Sequence, residues 1–446
     1  MTSAAVRPRS STSRDTLVVL ASTVVGMASG ILNQSVLAWF LEPVGRGQFA
    51  VCVTFASISA AVFGLATDRA TQYHLLARTF SVERATTIAY VTVLASAAAA
   101  TAIGWYLIGS GHPFFAKADH EHFRLALLLI PLTALPTALD LLLIAMGRFT
   151  AMGVRNVVGS LANLALNLLL VGLLAQGVEG ALWALIFAQA FLVVLQSRAI
   201  LRGAAGFSWP RLADYRKIFS YSARYYVART GNVVNAQISM LVMAWVGEAA
   251  EIGFFATAAA LFARVMTIPN SLTTALQPRM APGAEGRREL TATACRLTLV
   301  TVGLGLGALL VASPIVVPVL LSQAFASVVP LLWLMAPGQL MKCASQPMTA
   351  YFIGSNRPGV VSLSTGTELI SSVVLMPWFY REAGLAGAAL AASIAQTLRG
   401  LVLVVAFRVV SEMSFTSTWR VRRADLALFT GLTQRLGSRE KQRGDG

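Results

Sequence analysis

Apolar stretches of about twenty residues, each long enough to cross ~30 Å of hydrocarbon, follow one another from residue 16 to residue 407. A chain patterned in this way folds with the bilayer as its solvent. Its backbone polar groups must then be satisfied internally, so helices are the expected element. Composition agrees, with 56% of residues hydrophobic and only 12% charged, and a mean hydropathy of +0.68, far from soluble usage. About twelve spans are expected between those limits. The first follows Arg7, Arg9 and Arg14, but its apolar run outlasts the h-region of a secretory signal and reads as a membrane helix.

The spans are organised as a duplication. Ala38, Trp39, Glu42, Gly47, Phe49 and Ala50 recur 206 residues later as Ala244, Trp245, Glu248, Gly253, Phe255 and Ala256. Gly177, Gly180, Ala181, Ala184, Ala188 and Gln189 recur 207 residues later as Gly384, Gly387, Ala388, Ala391, Ala395 and Gln396. Agreement of the two offsets marks halves of about 200 residues. Charge then orients them. With the N-terminus inside, the inward ends and loops carry 26 Lys and Arg, whereas the outward loops carry only Arg46, Lys117, Arg124 and Arg381, as the positive-inside rule requires. Trp39, Trp105, Trp183, Trp245, Trp333 and Trp378 fall near outward helix ends, where an interfacial belt belongs. Both termini are expected in the cytoplasm. Six spans separate the copies, so they enter the membrane in the same direction as a parallel repeat.

The expected architecture is all-α and integral to the membrane, with two parallel six-helix bundles around a central cavity. Residues 1–15 form a cytoplasmic N-terminal segment, 16–201 the first bundle, 202–217 a cytoplasmic linker, 218–407 the second bundle and 408–446 a basic tail. In the tail, Leu426, Phe429, Leu432 and Leu436 fall near helical spacing beside Arg422, Arg423, Arg435 and Arg439, which fits either an amphipathic helix on anionic lipid or a disordered extension.

Several function classes are disfavoured. No connecting loop is long enough to fold as a soluble catalytic domain, and there is no Gly-rich phosphate loop, nucleophile elbow or zinc protease motif, so an enzyme is not expected. Cys52, Cys295 and Cys343 lack paired spacing and read as small core residues; His112, His120 and His122, beside Asp119 and Glu121, read as a solvated loop rather than a metal site. No cofactor is expected. The net charge of +16 is concentrated on one side of the membrane, which points to lipid rather than nucleic acid.

Charges deep in the bilayer cost on the order of 3 kcal/mol each and therefore mark function by default. Arg264, Lys342 and Arg399 are the deepest cations, all in the second half, with Arg229 shallower. The facing acids are Glu368 and, nearer the inner end of the fourth span, Asp140. The excess is positive, which suits an anionic headgroup, and the guanidinium fork of Arg264 suits phosphate best. A packing role competes, with Glu368 pairing to Lys342 or Arg264. Asn33, Gln34, Asn232, Gln339 and Gln346 are expected either to line a polar cavity or to join helices by hydrogen bonds. Pro131, Pro136, Pro269, Pro337 and Pro347 interrupt the fourth, eighth and tenth spans, where a wet cavity tolerates a broken backbone.

The run Gly147, Arg148, Phe149, Arg155, Asn156, Asn163, Asn167 and Gly177 to Ala181 resembles polysaccharide transporters and oligosaccharide flippases of the multidrug, oligosaccharidyl-lipid and polysaccharide (MOP) exporter superfamily. Ala263, Arg264, Pro269 and the closing Pro278, Arg279 and Met280 are similar to the superfamily's corresponding helix, where a cavity arginine occurs. The resemblance implies a V-shaped pair of bundles that alternates between inward and outward openings in a bacterial plasma membrane. It implies transport of an undecaprenyl pyrophosphate-linked oligosaccharide, with voltage, proton or sodium as the drive, by a monomer working beside a polymerase and glycosyltransferases. Two transporter alternatives remain. Gly64, Asp68 and Arg69 resemble the start of a loop motif of major facilitator transporters, though the following Ala70, Thr71 and Gln72 depart from it. Drug extruders of the same superfamily are the other. A membrane-embedded enzyme of lipid-linked glycan assembly is the alternative from a different class.

Overall fold

A computed structural model describes residues 12–111, 113–202, 208–266, 286–355, 357–414 and 418–420. The helices are α1 (Thr12–Phe63), α2 (Thr67–Leu76), α3 (Val82–Gly109), α4 (His120–Ala145), α5 (Phe149–Asn167), α6 (Gly177–Leu201), α7 (Leu212–Val246), α8 (Ala249–Val265), α9 (Arg287–Leu321), α10 (Val328–Gly354) and α11 (Pro358–Ser411). A π-helical stretch, Leu168–Leu173, prolongs α5. Seven of these helices are long and apolar enough to cross a membrane. Two of the seven, α1 and α11, each run through a backbone break. Counting each side of a break separately, and setting aside the ten-residue α2, the described residues hold the twelve long helices that the apolar pattern predicts.

The breaks have local causes. In α1, Glu42 precedes Pro43 and leaves the helical region (φ 55, ψ 177); the proline ring disfavours α geometry at that residue and accounts for its extended ψ. In α11 the break is at Ala383 and Gly384, and Gly384 takes φ 57. Its repeat mate Gly177 takes φ 56 at the start of α6. Both positions sit where the chain turns back, and a left-handed conformation there favours glycine. The second glycine of each motif does a second job. A Cβ on Gly180 would lie 3.1 Å from the Leu170 carbonyl oxygen, and one on Gly387 would lie 2.0 Å from that of Phe379, so each lets a helix start fold closely over the end before it.

The other echo is also structural. Gly47 and Gly253 face each other: a Cβ on Gly47 would fall 1.8 Å from the Ala249 carbonyl oxygen, and one on Gly253 would fall 2.0 Å from that of Pro43. Equivalent residues of the two copies therefore meet backbone to backbone. Lipid tails are as apolar as leucine, so helices gain by van der Waals contact between small residues rather than by burial from water.

By backbone proximity the chain forms two compact units, Met1–Thr257 with Val316–Val328, and Ala258–Ile315 with Val329–Gly446. In the first, Ile88, Leu139, Leu142, Ile200 and Ile218 pack around Ala70 of α2. In the second, Cys295, Met348, Tyr351, Phe352, Leu403 and Phe407 form a core. All three cysteines are buried. Apolar residues such as Leu304, Val311 and Ile315 of α9 are exposed, as a lipid-facing surface should be. Trp39, Trp105, Trp245, Trp333 and Trp378 are also exposed. The tail from residue 421 onward lies outside the described residues, as do Pro269 and Pro278 to Met280.

Candidate functional site

The second unit brings three of the candidate charges together. Close packing of α10 on the latter part of α11 comes first. Gly338 has no room for a side chain, since a Cβ would lie 2.4 Å from the Ser393 carbonyl oxygen, and its N–H donates to Ser393 Oγ at 2.9 Å. Gly400 likewise admits Met341. One turn beyond Gly338, Lys342 Nζ donates to Glu368 Oε1 at 2.8 Å, and Arg399 Nη1 donates to Glu368 Oε2 at 2.8 Å. Glu368 is 1% exposed. One carboxylate thus holds two cations, and the trio keeps a net positive charge.

Of the two partners expected for Glu368, Lys342 is present and Arg264 is not; Arg399 takes the second oxygen. The reason is geometric, because Arg399 shares α11 with Glu368 across the break, and the return of the chain sets the two side by side. Arg264, at the end of α8, is half-buried. Among the described residues it has no ion pair, and its buried Nε has no hydrogen-bond partner. Met266 Sδ lies against Cys343 Sγ, which places the end of the Arg264 helix beside the turn carrying Lys342.

The first unit separates the remaining candidates. Arg229 of α7 pairs with Asp68 of α2 at 3.2 Å. Tyr226 donates to the Val62 carbonyl at 2.9 Å and Thr230 to that of Ala61 at 3.2 Å, so α7 is fastened along the end of α1. Beside the ion pair is a cavity of about 210 Å³ walled by Ser57, Thr67, Thr133, Thr137, Asp68 and Arg229. Between α1 and α2, Leu65 (φ 49) and Ala66 (φ 55) are both left-handed without being glycine. Such residues cost about 1–3 kcal/mol each and persist only when their surroundings hold them.

Asp140 pairs with Arg155 at 2.6 Å and accepts from Gln196 at 2.7 Å, tying α4 to α5 and α6. Asn33 accepts from Asn167 Nδ2 at 2.8 Å, and the same amide donates to Asn163 Oδ1 at 3.1 Å. Gln34 accepts from Arg46 Nη2 at 2.6 Å. Arg46 is placed by the sequence in an outward loop, yet it is buried, with its guanidinium over the Phe49 ring at 5.6 Å. The break at Glu42 turns the chain back so tightly that residue 46 already belongs to the next helix. Asn232 is exposed.

Sequence reading missed the partners more than the cations. Asp68 carried a signal, but only as part of a loop motif of a different transporter family. Arg296 gave none: it sits among the inward-end cations, yet it is fully buried and pairs with Glu289 at 3.1 Å.

Likeness to solved structures extends over most of the chain. It is similar to a lipid II flippase, MurJ, in an inward closed conformation (TM-score 0.70, 13% identity, covering 91% of this chain and 89% of that one). It is similar to the MATE multidrug transporter DinF-BH (TM-score 0.63, 15% identity, 91% and 97%). It is also similar to an inward-facing multidrug resistance transporter of the MATE family and MOP superfamily (TM-score 0.61, 17% identity, 89% and 98%). At these identities the likeness establishes the fold, which is that of the MOP transporters. No curated protein matches the chain. Residues 36–330 match the family described as polysaccharide biosynthesis protein. That stretch covers most of the chain and both copies of the Trp39 and Trp245 motif, and so this multi-pass membrane protein belongs to the polysaccharide biosynthesis protein family.

Proposed function

We propose that the protein is an alternating-access flippase that moves an undecaprenyl-linked, phosphate-bearing oligosaccharide from the inner to the outer leaflet for surface polysaccharide assembly. The observation that carries this reading is the excess of buried positive charge in the second unit, where one carboxylate serves Lys342 and Arg399 while Arg264 has no ion pair among the described residues. Family membership and the transporter fold support it. Arg264 is the principal phosphate ligand, because a planar fork of donors matches phosphate oxygens and a half-buried cation with no carboxylate partner among the described residues favours a dianion. Lys342 and Arg399 add to the field, and Glu368 keeps their mutual repulsion tolerable.

The protein acts in a bacterial plasma membrane with both termini cytoplasmic, beside the glycosyltransferases and polymerase that make and extend the glycan. A headgroup with two negative charges moving outward against an inside-negative potential gains roughly 5 kcal/mol per 100 mV, so voltage alone is a sufficient drive. The test is a reconstituted-vesicle assay of substrate sidedness. A flippase changes the leaflet of the lipid-linked glycan and leaves its mass unaltered, whereas an enzyme changes the mass. Arg264→Ala should abolish movement with insertion intact; normal movement by that variant overturns the assignment of Arg264.

A further inference from the structure

Two cavities of the first unit meet at one turn. The charged cavity beside Asp68 and Arg229 is about 210 Å³. The other, about 510 Å³, is apolar and lined by Phe63, Leu65, Val91, Ala95, Phe219 and Tyr226. Gly64 and Thr67 belong to both walls. Between those two residues lie Leu65 and Ala66, the left-handed pair, and strain of that kind gathers at ligand clamps.

The two chambers differ in what can fill them. An apolar groove among membrane helices takes up hydrocarbon, because an empty groove forfeits contacts and water finds few polar partners in it. The smaller chamber is more polar: beside alanines and valines it carries Ser57, Thr133 and Thr137, the Asp68 carboxylate and the Arg229 guanidinium. Arg229 donates to Asp68 through Nη2, while its buried Nε has no hydrogen-bond partner. A phosphate has enough oxygens to meet both edges of that fork, which the single carboxylate contact does not. A charged chamber that shares the Gly64 and Thr67 wall with an apolar one has the outline of a single-chain anionic amphiphile.

We propose that these adjoining cavities open into one another at the Gly64 to Thr67 turn and form a loading site for a polyprenyl phosphate carrier. The chain lies in the groove of Phe63, Val91 and Phe219, the phosphate sits on Arg229, and Asp68 occupies Arg229 in the phosphate's stead until the lipid arrives. The site belongs to the first unit and Arg264 to the second, so loading here is a step distinct from phosphate capture by Arg264. It rests on the flippase reading, which supplies the identity of the chain.

The test uses the full chain in nanodiscs of neutral lipid, with farnesyl phosphate as probe and farnesol, inorganic phosphate and phosphatidylglycerol as comparisons, read by mass spectrometry that retains bound ligand. Asp68→Asn removes the competing charge yet keeps the acceptor for the Arg69 backbone N–H. It should bind farnesyl phosphate about tenfold more tightly, or 1.4 kcal/mol. Arg229→Gln should lose at least that much. Ala95→Trp fills the groove and should reduce farnesyl phosphate to the level of inorganic phosphate. A gain on Asp68→Asn is a result that misfolding does not imitate. Equal binding of farnesol removes the phosphate assignment, equal binding of phosphatidylglycerol removes the polyprenyl one, and an unchanged Asp68→Asn overturns the proposal. If the wild type moves lipid-linked glycan across vesicles while none of these variants alters binding, the loading site falls and the flippase reading stands. If binding changes as expected and no movement occurs, the flippase reading falls and the lipid site stands.

Discussion

Replacing Glu368 by Gln removes the one charge that lets two buried cations share a helix interface. Both ion pairs are 2.8 Å long, and the side chains of Lys342, Arg399 and Glu368 are 17%, 10% and 2% exposed, so solvent screening is slight. At an effective dielectric of about 20, charges 4 Å apart attract by ~4 kcal/mol, which makes the gross attraction of two pairs roughly 8 kcal/mol. Desolvation and repulsion between the cations offset much of that. Removing one member of a buried pair costs about 3–5 kcal/mol, chiefly because the remaining charge is left uncompensated. At ~2–4 °C per kcal/mol for a unit of this size, the melting temperature should fall by roughly 10 °C. The three buried cysteines provide the assay, since a thiol-reactive fluorogenic dye reports their exposure as the solubilised protein is heated. Adding Lys342→Met to Glu368→Gln should recover part of the loss, because one orphaned cation goes with it. If Glu368→Gln melts within a degree of wild type, the trio contributes nothing to stability and its burial needs another explanation.

The repeat contacts make two further predictions. Gly47→Ala and Gly253→Ala each force two backbones apart, from separations of 1.8 and 2.0 Å between the new Cβ and a carbonyl oxygen, and each should cost about 3 kcal/mol or more in the same melting assay. Gly177→Ala and Gly384→Ala meet open space instead, with φ of +56 and +57, so each should cost only the left-handed penalty of about 1–2 kcal/mol. A markedly unequal loss between the last two would show that the matched glycines do not play the same role.

Much of the fold was legible because it depends on one-dimensional properties. Length of apolar run, placement of Lys and Arg, and recurrence of Gly and Trp at offsets one residue apart are all readable along the chain. The glycine echo was legible even in detail, since a residue lacking Cβ at matched positions signals matched backbone demands, and Gly177 and Gly384 share almost the same φ. The candidate charges were legible for a related reason: an ionisable residue inside an apolar run stands out against its neighbours, as Lys342 and Arg264 do.

Pairing was not legible. The sequence alone determined that this chain spans a membrane many times, and it pointed to two similar halves with the deep cations in the second. Only the tertiary structure decided that Glu368 serves Arg399 rather than Arg264, that Arg229 is held by Asp68, and that Arg46 is buried rather than exposed in a loop. Span, orientation and cost of burial are sums over local composition, whereas an ion pair depends on the azimuth of each helix and on where a break such as Glu42 or Gly384 turns the chain. A rotation of one residue, about 100°, moves a side chain from one neighbour to another without altering hydropathy.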